Sequence, residues 1–223
     1  MSPLKLRSEI QAFIEQAWSA GLVRASNFPT IQITRGGTSY VSWSGEVSGG
    51  VGDRSGPSFS DYTDLLKRGQ YTLLLLDYSF LQISFVVDGS KIIWHRLVYY
   101  PCPLTTDEDD DGDTPILDLI DLLDDGEIIA RLRQETPLRF EFDPTAATED
   151  HPASHLHLSR NCCRIPVYAP LTLGRFVQFI FKHFYPAIWN TNKFLREWGC
   201  EATVATISHG QRQGLHVMCV EET

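Results

Sequence analysis

Apolar residues recur at three- and four-residue spacing from Leu6 to Ala17 (Leu6, Ile10, Phe13, Ile14, Ala17), with Trp18 beside them. That period is one face of a helix, and it predicts a helix over residues 6–20 that Gly21 stops. The period then shortens to two. Ile31 and Ile33, then Tyr40, Val41 and Trp43, bracket Arg35-Gly36-Gly37, which predicts a hairpin of strands 30–34 and 39–44. A short helix is predicted over 59–67. Three strands follow at 71–78, 81–87 and 91–99, the last two joined by the turn signal Asp88-Gly89-Ser90. Pro115 opens a predicted helix to about residue 124, with Ile116, Leu119, Ile120 and Leu123 on one face. Strands are expected near 138–142, 155–158 and 164–168. Leu173, Phe176, Val177, Ile180, Phe181 and Phe184 form the apolar stripe of a helix over 171–184, and its many aromatics read as core packing. A further helix, 187–198, follows Pro186. A terminal hairpin of 202–207 and 215–220 is expected around HGQRQG.

This order, with no regular strand–helix alternation, predicts an α+β fold: an antiparallel or mixed sheet packed by several helices, not a doubly wound parallel sheet. The 223 residues suit a single domain, 1–223, with mobile loops expected at about 45–57 and 104–114. The longest apolar run, 71–87, is interrupted by Asp77, Ser79, Gln82 and Ser84, so it reads as buried strands and not as a bilayer span. A net charge of -9 argues against extensive duplex DNA binding and against an anionic membrane surface. Six of the acids fall in TDEDDDGD (106–113) alone, so a local basic pocket remains compatible with the total. Five cysteines in irregular positions, behind an N-terminus that reads as an amphipathic helix, point to reduced thiols and a cytoplasmic protein.

Chemistry-bearing residues crowd into one stretch, RFEFDPTAATEDHPASHLHLSRNCCR (139–164), which holds three of the seven histidines. In an extended segment, His155 and His157 point to one face while Leu156 and Leu158 face the core. His151 lies four residues earlier, across a bend at Pro152. Three imidazoles on one surface suit a divalent metal such as zinc, or an acid and a base near neutral pH. Asp143, Glu149 or Asp150 would orient a ring or complete a coordination shell, and Arg160 and Arg164 would clamp an anion. The bland alternative is histidines that hydrogen-bond a buried loop, with the arginines paired to Asp143 or Glu141.

Three weaker patterns compete. Asp107, Asp109, Asp111 and Asp118 fall at positions one, three, five and twelve of a calcium loop, but Pro101 and Pro103 spoil the preceding helix, so a solvated acidic loop is the plainer expectation. The glycine-rich run 45–57 lacks the lysine–serine ending of a phosphate loop. Cys162 lies near His155 and His157, yet nothing in the pattern activates it, and inert thiols are expected.

Phe140 to Pro144, His151-Pro152 with His155-Leu156-His157, Arg164-Ile165-Pro166, and the run Phe176 to Tyr185 leading to Pro186 together resemble the signature region of a bacterial family filed as domain of unknown function 2290. That resemblance implies a bacterial intracellular protein and no particular activity. The HP…H arrangement is also similar to some small toxin proteins of toxin–antitoxin pairs. The residues then favour a histidine-dependent hydrolase of a phosphodiester or nucleotide in a toxin or phage-defence setting, acting on a nucleotide or short RNA. The alternative is a non-catalytic module that binds a protein partner or senses a ligand.

Overall fold

A computed structural model describes residues 1–47, 58–105, 115–158, 163–199, 201 and 203–218. Among them nine strands form one continuous sheet: β1 (Val23–Ser26), β2 (Pro29–Ile33), β3 (Ser39–Trp43), β4 (Leu73–Leu75), β5 (Phe80–Asp88), β6 (Lys91–Tyr100), β7 (Leu138–Phe142), β8 (Ser154–Leu158) and β9 (Arg164–Pro166). The order is β1-β4-β5-β6-β7-β8-β9, with the β2–β3 hairpin joined to β5 as well. One edge of β5 is therefore shared, with β4 along its first residues and β3 along its last. All these strand pairs are antiparallel, so the expected α+β fold takes its antiparallel form.

Strand alternation gives the sheet two unlike faces. On the first, Leu81, Ile83, Phe85 and Val87 of β5, Leu97 and Tyr99 of β6, Leu138 and Phe140 of β7 and Leu156 of β8 are buried under α1 (Pro3–Ser19) and α5 (Leu173–Phe184). The Phe13 ring of α1 meets the Phe181 ring of α5 edge-on at 6.4 Å. Each such large side chain contributes about 1.5–3 kcal/mol by leaving water. The second face is apolar only at one end, where Phe80 and Tyr100 stack at 4.9 Å beneath Tyr62 of α2 (Phe59–Lys67), with Ile116 and Ile120 of α3 (Ile116–Leu122) in the same cluster. Beyond that cluster the second face turns polar, through Ser42, Gln82, Ser84, Arg96, Arg139, Glu141, His155 and His157.

Several elements depart from the sequence expectation. The predicted strand 71–78 shortens to β4, because Leu75 N–H bonds Ser79 O and Asp77 accepts from Ser79 N–H in a tight turn through Tyr78 at φ 63°. β1 and α4 (Asp125–Arg131) were not anticipated. The helix expected over 187–198 breaks at Asn192, whose side chain bonds Ile188 O, leaving α6 (Pro186–Thr191) and α7 (Lys193–Glu197). The terminal hairpin is absent among the described residues. HGQRQG instead contributes α8 (His209–Gln213), and Val217 makes one isolated parallel bridge to Val167. Residues 48–57 and 106–114 lie outside the described residues, and with them most of both expected loops. Gly45–Val47 is held in place by Gln70, which bonds Gly45 O and Val47 N–H.

Candidate functional site

The polar face is arranged in rows set by strand register. Arg96 on β6 pairs with Glu141 on β7, which pairs with His155 on β8. In the next row, Arg139 pairs with His157, which pairs with Arg164 on β9. Neighbours within a row share a face, so six side chains form a compact grid of three guanidiniums, two imidazoles and one carboxylate. The alternate residues Phe140 and Leu156 are buried on the opposite face and anchor the grid from behind.

Three ligand-type atoms converge at its centre. His155 Nε2 lies 2.9 Å from His157 Nε2, His157 Nε2 lies 3.0 Å from Glu141 Oε2, and His155 Nε2 lies 3.4 Å from the same oxygen. His155 Nδ1–H donates to Pro152 O at 2.7 Å. A carbonyl only accepts, so a neutral His155 carries its hydrogen on Nδ1 and turns a lone pair toward the centre. Burial, together with Arg139 and His155, holds His157 below its ordinary imidazole value, so it is neutral at pH 7. Burial pushes the Glu141 carboxyl up, but the contacts with His155 and His157 and the charges of Arg139 and Arg96 outweigh it and keep the group ionised far below the usual carboxylate range.

Arg96 Nε lies 2.7 Å and Arg139 Nε 3.3 Å from Glu141 Oε1. The carboxylate is thus fixed by one oxygen and presents the other to the histidines. This is how outer groups orient a ligand atom. His155 and His157 are 1% and 5% exposed, so the convergence point is sheltered. Arg96 is about a third exposed and Glu141 less, which marks the open side. Buried Arg164 Nε and His157 Nδ1 have no hydrogen-bond partner among the described residues.

The remaining predicted site residues are placed as follows. His151 folds back across Pro152, its ring centre 4.9 Å from that of His155, but it is outside the ligand triangle. It is half-buried, and burial with the charge of Arg164 lowers its pKa. Asp143 Oδ1 is occupied by Thr145 N–H, Thr145 Oγ1–H and Ala146 N–H in its own turn. Glu149 is turned toward α8, accepting from Ser208 Oγ–H. Arg160, Cys162, Asp107, Asp109 and Asp111 lie outside the described residues, and Asp118 is exposed on α3. Cys163 is exposed and Cys102 buried, with burial raising the Cys102 thiol. Glu141 enters the sequence pattern only as an arginine partner, a pairing it makes here with Arg96 and Arg139, and neither of those arginines was assigned to the site. Among the described residues, Glu141, His155 and His157 form the one group of three whose metal-ligating atoms lie within 4.8 Å of one another.

A family model described as "Uncharacterized conserved protein (DUF2290)" matches residues 22–219, so the chain belongs to that family. No curated protein and no solved structure matches the chain. No helix among the described residues is long and apolar enough to cross a membrane.

Proposed function

We propose that this DUF2290 member is a metal-dependent hydrolase of phosphate esters, with Glu141, His155 and His157 holding one divalent ion. The ligand triangle carries the reading. Ligands about 2.0–2.1 Å from a tetrahedral ion stand about 3.3 Å apart, and the three edges here are 2.9, 3.0 and 3.4 Å. Two imidazoles and one ionised carboxylate form a donor set suited to zinc, and three protein ligands leave a fourth position for water. Such an ion lowers the pKa of its water toward neutrality.

The arginines supply the rest. Arg96, Arg139 and Arg164 outnumber Glu141, so the grid is cationic within an acidic chain and favours a compact anion. Held by Glu141, His155 and His157, such an ion would supply an activated water. His151 beside them would take the proton of that water as its oxygen bonds phosphorus, and would return it to the leaving oxygen as the bond from phosphorus to that oxygen breaks. Arg164 and Arg96 oppose the charge that builds on the phosphoryl oxygens.

The test is elemental analysis of the purified protein alongside hydrolysis of p-nitrophenyl phosphate and bis(p-nitrophenyl) phosphate. Wild type is expected to hold about one divalent ion per chain. Glu141→Gln and His155→Ala are expected to lose it and to lower turnover at least about a hundredfold while remaining folded. A folded wild type saturated with zinc, manganese or magnesium that cleaves neither ester refutes the hydrolase. Bound metal without turnover supports the ligand-sensing alternative.

A further inference from the structure

We propose that the ester carries a nucleobase, which packs on the Tyr40–Trp94 aromatic pair beside the grid; this rests on the phosphate-ester reading of the same site. Trp94 lies two residues before Arg96 on β6, so the two side chains share a face. Val86 pairs with both Trp94 and Tyr40, which makes Tyr40–Val86–Trp94 the row next to Arg96–Glu141–His155. Two residues along a strand span about 7 Å, roughly one sugar unit, which is what separates a base from its phosphate.

The pair is not explained by the core. Tyr40 and Trp94 are half-buried with ring centres 6.3 Å apart, and neither they nor Val86 belong to the apolar clusters on either face of the sheet. The Arg96 guanidinium lies 5.7 Å from the Trp94 ring centre while its Nε grips Glu141. One side chain thus ties the aromatic row to the ligand triangle. The Tyr40 hydroxyl donates to Glu46 and stays protonated, its pKa pushed up to about 12 by burial and that bond. A flat π surface next to a cationic grid is the arrangement that takes a base and its phosphate together, and stacking accepts any base.

Binding separates this inference from catalysis. Full-length, zinc-loaded protein is titrated by calorimetry with adenosine 5′-monophosphate, ribose 5-phosphate and inorganic phosphate. Wild type is expected to bind the nucleotide at least about tenfold more tightly than ribose 5-phosphate. Trp94→Leu keeps the apolar bulk without the π face and is expected to abolish that preference without changing affinity for inorganic phosphate. Trp94→Phe is expected to restore most of it. Equal affinity for nucleotide and ribose 5-phosphate in wild type overturns the inference, as does a preference that survives Trp94→Leu. Failure of all three ligands to bind overturns both this inference and the phosphate-ester reading. A base preference without hydrolysis sinks only the hydrolase.

Discussion

His95 shares β6 with Arg96 but points to the opposite face, where its ring sits between Phe85 and Phe142 at centre distances of 5.8 and 5.9 Å. Its Nε2 accepts the Leu171 N–H at 3.0 Å. Burial lowers its pKa to about 3, from an ordinary value of 6.5. Above 6.5 the ring is neutral in both folded and unfolded chains and contributes nothing to the pH dependence. Between 6.5 and 3 only the unfolded chain takes the proton, so stability falls as pH falls, by at most about 5 kcal/mol across the window. Glu141 acts lower down. Its depressed folded pKa contributes stability that is complete above the ordinary carboxylate value and is lost as pH drops below it. Denaturant melts from pH 7 to 4 are therefore expected to flatten in His95→Gln, which keeps an acceptor but does not titrate. A slope unchanged from wild type would rule His95 out as its source. At this scale the two site histidines were legible, because strand parity alone puts His155 and His157 on one face. Glu141 was legible only as a partner for arginines, because its place beside the histidines is not local in sequence. Only the β7–β8 register, closed by an eleven-residue connection between Phe142 and Ser154, brings it opposite His155.

Among the elements, α5 supports the site from behind. Phe176 and Phe179 meet the Phe140 ring edge-on at 6.2 and 5.3 Å, and Phe140 lies between Arg139 and Glu141 on β7. The helix is opened by Thr172, whose buried hydroxyl accepts the Arg175 N–H at 3.3 Å. Thr172→Ala is expected to destabilise the fold by about 1 kcal/mol, and Thr172→Ser to recover most of it. Both are expected to leave metal content unchanged, since the cap touches no ligand. Denaturation midpoints with metal analysis check this, and an alanine variant as stable as wild type would deny the cap its role. Long periodic elements such as α1, α5, β5 and β6 were readable from spacing, because one buried face repeats over many residues. Short ones were decided by local bonds that compete with the pattern. Ser208 and Gln211 close a capping box that starts α8 where the turn of a hairpin was expected, and Asp124 and Glu127 close one that starts α4. β1 holds its place through pairing with distant β4, a contact that four residues cannot announce.

For the whole molecule, the candidate site lies on the sheet face beyond the apolar cluster of α2 and α3, and among the described residues its polar grid is sheltered but not part of either apolar cluster. An ion that binds the folded chain alone adds stability by mass action, about 2.7 kcal/mol when free metal is a hundred times the dissociation constant. For a chain of this size each kcal/mol shifts the melting temperature by about 2–4 °C. Chelation is therefore expected to lower the wild-type melting temperature by about 5–10 °C, and added zinc to restore it. His155→Ala should melt low whether or not chelator is present, because the triangle that senses the ion is broken. Scanning calorimetry of both proteins, with and without chelator, decides the matter. A wild type whose transition ignores both chelator and zinc has no ion at this centre, and the grid then functions as a buried ion-pair network that ties β6 through β9 together.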